Sequence, residues 1–332
     1  MDIEGGGRLV VFGPEDELPH TAGTQENWQE SFVIIWYDLK QHIGGFFRLG
    51  HEPNYNGGRT QTMANVFSPE GAYHYSTDHP LLPKHRLKNG FSNGEETLRY
   101  EYIDGRIHWA LKDTDVEMNL VVDCYVPAVD AHRREGQQNA ASYTGAHVDA
   151  ACGVSGTLTV KGRSWSIDNA LAVRDHGWGT RDWNSLLSHR WTLGTFGRDD
   201  SFVAMSFLTT GNQIARFGWV IRGNKVIFAE KVEIRAIIAH DGATNLGGTT
   251  RMLLTTGEVL EASFEPAYPC IASWVHQTIC FDSMCRVKWG DRIGFGVFEN
   301  TNNIQAGTLR PPVYDGAIAA DGWHPDIRPL LA

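Results

Sequence analysis

The chain has 332 residues, 42% hydrophobic, 11% aromatic and 20% charged, a composition that excludes wholesale disorder and suits two domains or one large one. Its 29 Lys and Arg against 39 Asp and Glu give a formal charge of −10, so neither nucleic acid nor an anionic lipid surface is expected as a partner. No run of 18 apolar residues occurs, so no membrane span is expected, and the acidic start MDIEGGGRLVVFGPEDELPH lacks the basic start and apolar core of a signal peptide.

Along the chain the apolar pattern has a period of two, the signature of half-buried strands. Residues 36–47 read as a Trp-bearing strand, a glycine-containing turn and an apolar strand. Within it Trp36 and Tyr37 are candidate pocket walls; Asp38 either orients a pocket histidine or forms the turn, the blander role. Residues 73–79 form a further strand, with Tyr73, Tyr75 and Thr77 on one face and His74 and Asp78 near the other. Tyr73, His74 and His79 are candidate polar lining for a pocket, with a metal site the weaker reading. A short helical turn is expected within 82–89.

Residues 97–111 alternate on both sides of Asp104-Gly105, the strongest local signal for a hairpin, because a type I′ turn needs positive φ at both central positions. His147-Val148-Asp149 places two ionisable groups on one face, and His147 is a further candidate ligand contact. Residues 154–167 alternate around Lys161-Gly162. The device returns at Gly223-Asn224, Thr256-Gly257 and Gly290-Asp291. Residues 191–202 echo 36–47, which makes Trp191 a third candidate pocket tryptophan. No helix-period segment exceeds about a dozen residues. The expectation is an all-β chain of two antiparallel barrel-like units, with less than about 10% helix against a soluble norm near a third.

The five cysteines, Cys124, Cys152, Cys270, Cys280 and Cys285, are odd in number and widely spaced, which argues against a disulfide framework or a thiolate zinc site and for a reducing cytoplasm. There is no G-x-S-x-G elbow, no H-E-x-x-H and no phosphate-binding loop. The densest chemistry lies in Arg174-Asp175-His176-Gly177-Trp178-Gly179-Thr180-Arg181-Asp182-Trp183. A solvated loop has no use for two tryptophans, and a plain core strand has none for five ionisable groups. The pattern fits a ligand pocket, a domain-junction network of Arg–Asp pairs, or both.

This segment, followed by Arg190-Trp191, resembles the D-H-x-W-G-x-R-x-W type signature of the carotenoid 1,2-hydratase/AttH-like superfamily. The stretch from Trp28 through Ser31-Phe32, Tyr37-Asp38, Arg48-Leu49-Gly50 and Pro53-Asn54 is similar to its uncharacterised bacterial members. The resemblance implies two lipocalin-like β domains, expected at 1–184 and 185–322 with an irregular tail at 323–332. It also implies hydration or cyclisation of hydrophobic natural products without a metal or organic cofactor. It lays the hydratase His and Trp on His176 and Trp178. A Tyr-x-Asp acid is implied on the following strand, where this chain has Val203-Ala204-Met205-Ser206.

The function expected is a cofactor-independent lyase or hydratase: elimination, hydration or retro-aldol-like cleavage of an aromatic or isoprenoid small molecule by acid/base catalysis. The rival is a non-catalytic lipocalin-like carrier, whose walls would be mostly apolar. Strand alternation sends Arg174, His176 and Trp178 to one side and Asp175 to the other. His176 is the expected acid/base and Trp178 its neighbouring wall. Arg174 and Arg181 are the expected catalytic cations, Arg181 steadying charge on a substrate oxygen. Asp182 is expected to pair with Arg181 or hold the histidine tautomer. A homodimer is left open.

Overall fold

Asp104 and Gly105 take φ of 50° and 76°, and Lys161 and Gly162 take 49° and 82°, so both turns have the doubly left-handed geometry their sequences call for. The remaining hairpin glycines, Gly223, Gly257 and Gly290, also have positive φ. These observations come from a computed structural model of the chain, which describes residues 2–4, 10–93, 97–126, 128–130, 144–209, 214–239, 244–303, 317–320 and 328–329. Of the described residues 74% are strand and 5% helix, and the helical turn expected within 82–89 is the 3-10 turn Pro83–His85. No helix among the described residues is long and apolar enough to cross a membrane.

The chain divides into two compact units. The first comprises Leu9–Arg134 and Thr144–Arg181; the second comprises Asp182–Ala332 and takes in the strand Asp2–Glu4. Of the tail expected at 323–332, only Arg328–Pro329 lies within the described residues, as a short strand paired with Ala317–Ala320.

The first unit is a curled, open sheet of eleven antiparallel strands. From one edge they run Gly71–Pro80, Arg59–Ser68, Ile43–Glu52, Trp28–Asp38, Arg163–Arg181, Thr144–Val160, Val116–Cys124, Arg106–Asp113, Leu98–Ile103, Gly90–Ser92 and Arg86–Leu87. Its concave face carries the apolar half of each alternation: Phe32, Ile34 and Trp36 from one central strand, Ala170 and Ala172 from the next, and Tyr100 and Trp109 from across the curl. Two central strands are unusually long, at 17 and 19 residues, because a register shift at 154/156 and another at 144/146 let them bend without breaking their pairing.

The second unit is a closed barrel of eight antiparallel strands. Leu186–Thr195 pairs with both Asp200–Thr209 and Arg292–Asn303, and Ile214–Arg222 closes the ring on Lys225–Ile238. Closure leaves no unpaired edge within the ring. Phe202, Phe264, Phe298 and Met252 fill part of its core.

Candidate active site

The site grows from the strand Arg163–Arg181, whose pleat sends Arg174, His176 and Trp178 to one face. His176 is buried opposite Phe32 of the neighbouring strand, the two rings stacked with centroids 3.9 Å apart. Phe32 in turn stacks on Tyr100 at 3.9 Å. Trp178 packs edge-on against Phe12 and lies flat on His20, while His176 leans against it at 4.6 Å. The result is an aromatic wall with two imidazoles set into it.

Between those imidazoles sits Glu30. His176 Nε2 lies 3.2 Å and His20 Nδ1 2.7 Å from the same carboxylate oxygen, and the His20 backbone N–H donates to both oxygens. The strand Trp28–Asp38 places Glu30 on the same face as Phe32, Ile34 and Trp36, so a carboxylate is driven into an apolar layer. Burial alone would raise its pKa, but the hydrogen bonds from His176 and His20 outweigh that and hold it down. The two histidines then part company. Burial dominates at His176 and lowers it; at His20, partly exposed, burial loses to Glu30 and Asp16, and the ring is raised. A charged carboxylate thus lies between one imidazole inclined to be neutral and one inclined to be protonated.

Arg174 extends the same face toward Glu17, which it grips with two hydrogen bonds of 2.6 Å. Tyr100 donates its hydroxyl to the Glu17 backbone carbonyl at 3.0 Å and to its carboxylate at 3.3 Å. Against the pull of burial, Arg174 keeps the Glu17 carboxyl below its ordinary range. Beside this pair opens a cavity of about 570 Å³, lined among others by Phe12, Tyr102, Ile107, Val122 and Cys124.

The opposite face of the strand carries a second cluster. Asp175 lies directly across from Asp149, and His147 Nε2 reaches both carboxylates, at 3.1 and 3.3 Å. The Asp130 carboxylate accepts the His147 backbone N–H, and Arg181 Nη1 stands 3.3 Å from His147 Nδ1. Burial opposes a second proton on His147, but the Asp175 and Asp149 carboxylates outweigh it and push it up to about 10. Gly177 makes room here: a Cβ in its place would lie 2.9 Å from His147 Nδ1. Gly179, at φ 107°, carries the bulge opposite Gly145. The donor atoms of His147, Asp149 and Asp175, like those of His20, Glu30 and His176, lie within 4.8 Å of one another, close enough to hold a metal ion.

The other residues expected from the sequence are scattered. Asp182 caps the 3-10 turn Trp183–Ser185, accepting the backbone N–H groups of Asn184 and Ser185. Asp38 caps its own turn through Lys40 and Gln41. Trp36 is wholly buried in the core, and Tyr37 bonds His42 at 3.0 Å. Tyr73 donates to Asp113, and His74 pairs with Asn65; both, with His79, lie on the edge strand Gly71–Pro80. Trp191 is buried in a strand of the second unit. The strand Asp200–Thr209, where the resemblance implies a Tyr-x-Asp, presents buried Val203, Ala204 and Met205.

Three partners in the site were not foreseen: His20, Glu30 and Glu17. Glu30 carries a signal in the sequence, because it stands between Trp28 and Phe32 on the apolar face of its strand. His20 and Glu17 come from an irregular stretch with no periodicity to mark them.

An open curled sheet and a closed antiparallel barrel make this a protein of two lipocalin-like β domains. The chain belongs to the family described as Domain of unknown function (DUF7064), whose model matches residues 13–304. The same fold occurs in the AttH-like protein of Nitrosomonas europaea, at 11% identity and a TM-score of 0.64, over 91% of this chain and 99% of that one. It also occurs in kievitone hydratase from Nectria haematococca, at 12% identity and a TM-score of 0.58, covering 88% and 93%. Both belong to the carotenoid hydratase/AttH group that the sequence resembles. No curated protein matches the chain.

Proposed function

We propose that the protein is a cofactor-independent hydratase or lyase acting on a hydrophobic, aromatic or isoprenoid small molecule. The observation that carries this reading is the Glu30 carboxylate shared by two histidines whose proton affinities are driven apart. With its Nε2–H donated to Glu30, neutral His176 keeps a lone pair on Nδ1 for a general base. His20, held protonated by Glu30 and Asp16, is the general acid. In hydration, His20 gives its proton to the substrate while His176 takes one from the attacking water. Glu30 holds both rings through their N–H groups, and after turnover the partly exposed His20 regains a proton from solvent as His176 sheds the one it took. Elimination runs the same steps in reverse. Trp178, Phe32 and Phe12 supply the apolar walls, and a fold shared with a protein named as a hydratase supports the assignment.

The test is incubation with a panel of prenylated phenols and isoprenoid alkenes in isotopically labelled water, with products read by mass. Uptake or loss of one water is expected, and His176→Ala or His20→Ala should each slow it by ~10²–10⁴. Compounds that bind saturably and are never converted would instead mark a carrier. Parent-rate turnover in both variants would remove the histidine pair from the mechanism.

A further inference from the structure

We infer that the cavity beside Arg174 selects electrically neutral organic ligands over anionic ones, and that the Glu17–Arg174 pair enforces this choice. The cavity, about 570 Å³, is of the size that encloses a small organic molecule. Four charged side chains line it, two of each sign: Glu17 and Asp123 against Arg174 and Arg106. The buried cation among them is already spent. Both terminal nitrogens of Arg174 are bound to Glu17 at 2.6 Å, so a ligand carboxylate approaching the guanidinium meets the Glu17 carboxylate at the same place. The Arg174 Nε–H is sealed away from the cavity, so the guanidinium keeps no free donor for an anion. Phe12, Tyr102, Ile107 and Val122 supply the apolar and aromatic part of the wall, and Ser155 adds a neutral polar one.

The cavity adjoins the histidine pair through Phe12, which packs on Trp178, and through Arg174, two positions from His176 on the same strand face. The inference therefore deepens the hydratase reading by naming its substrate class, and rests on that reading only for what becomes of the ligand.

The experiment compares a matched pair of probes, 2-acetonaphthone and 2-naphthoate, by equilibrium dialysis against the full chain. The ketone is expected to bind at least about tenfold tighter. It should also slow N-ethylmaleimide labelling of Cys124, an exposed thiol on the cavity wall. In Glu17→Gln, checked for folding by circular dichroism, the Arg174 charge is unmatched and the preference should swing toward the naphthoate by about tenfold or more. Equal or tighter naphthoate binding by the parent, Cys124 labelling unaffected by the ketone, or an unchanged ratio in folded Glu17→Gln each overturns the inference. Should Glu17→Gln not fold, the parent ratio and Cys124 protection decide the matter alone. Because every readout is binding, a protein that takes the ketone but converts nothing sinks the hydratase reading and leaves this one standing.

Discussion

Trp178 lies flat on His20, with ring centroids 4.1 Å apart and planes 11° from parallel. An indole face is the best aromatic seat for a cation, and a protonated imidazole so placed quenches indole emission. Burial works against the charge on His20, but Glu30 and Asp16 prevail and raise its pKa above the ordinary 6.5. Tryptophan emission should therefore rise on alkaline titration with a midpoint above 6.5. The step should vanish in His20→Gln, and a midpoint at or below 6.5 would mean that the stacked ring is neutral.

The His147 cluster fixes a second pH dependence. Its folded pKa, about 10, lies above its ordinary value of 6.5, so the stability it contributes is complete below pH 6.5 and drains away as pH rises toward 10. The loss has an upper slope of about 1.4 kcal/mol per pH unit. Urea unfolding at pH 6, 8 and 10 should show the parent losing ground to His147→Gln across that window. Parallel pH profiles for the two proteins would contradict the charged triad.

Gly177 has a steric reason to be glycine. Its missing side chain leaves the space that His147 Nδ1 occupies, with Arg181 Nη1 3.4 Å from the same point. Gly177→Ala should cost about 1–3 kcal/mol by overpacking. Thermal unfolding is the measure. A parent-like Tm would show that the cluster yields to a methyl group.

Asp182 should behave as a cap. Asn offers the same acceptor to the backbone N–H groups of Asn184 and Ser185, so Asp182→Asn is expected to leave stability within about 0.5 kcal/mol, whereas Asp182→Ala should lose about 1 kcal/mol. A pair with Arg181, the role expected from the sequence, would instead make Asp182→Asn destabilising. Denaturation of the two variants side by side separates the roles: equal losses would point to the charge, unequal ones to the cap.

Local rules made most of the fold legible. Asp104-Gly105 specifies its turn through backbone sterics, and strand alternation alone puts Arg174, His176 and Trp178 on one face. The partners of those residues were not legible, because they arrive from far along the chain. Glu30 lies 146 residues before His176, and Glu17 lies 157 before Arg174. Nothing in the immediate surroundings of Arg174 separates a catalytic cation from one tied to a distant carboxylate. Asp38 and Asp182, both singled out as candidates, occupy turn and cap positions, where a short carboxylate next to free backbone N–H groups satisfies them locally.

The pairing of Trp28–Asp38 with Arg163–Arg181 joins strands made at opposite ends of the first unit's synthesis. Until the later strand leaves the ribosome, Trp28–Asp38 has only Ile43–Glu52 beside it, and the backbone groups of its other edge stay open. Closing so long a loop is entropically costly and slow. The nascent chain thus spends that interval with its most aromatic strand unprotected. The histidine pair cannot assemble before that interval ends, so the cluster around Glu30 forms only with the last strand of the unit.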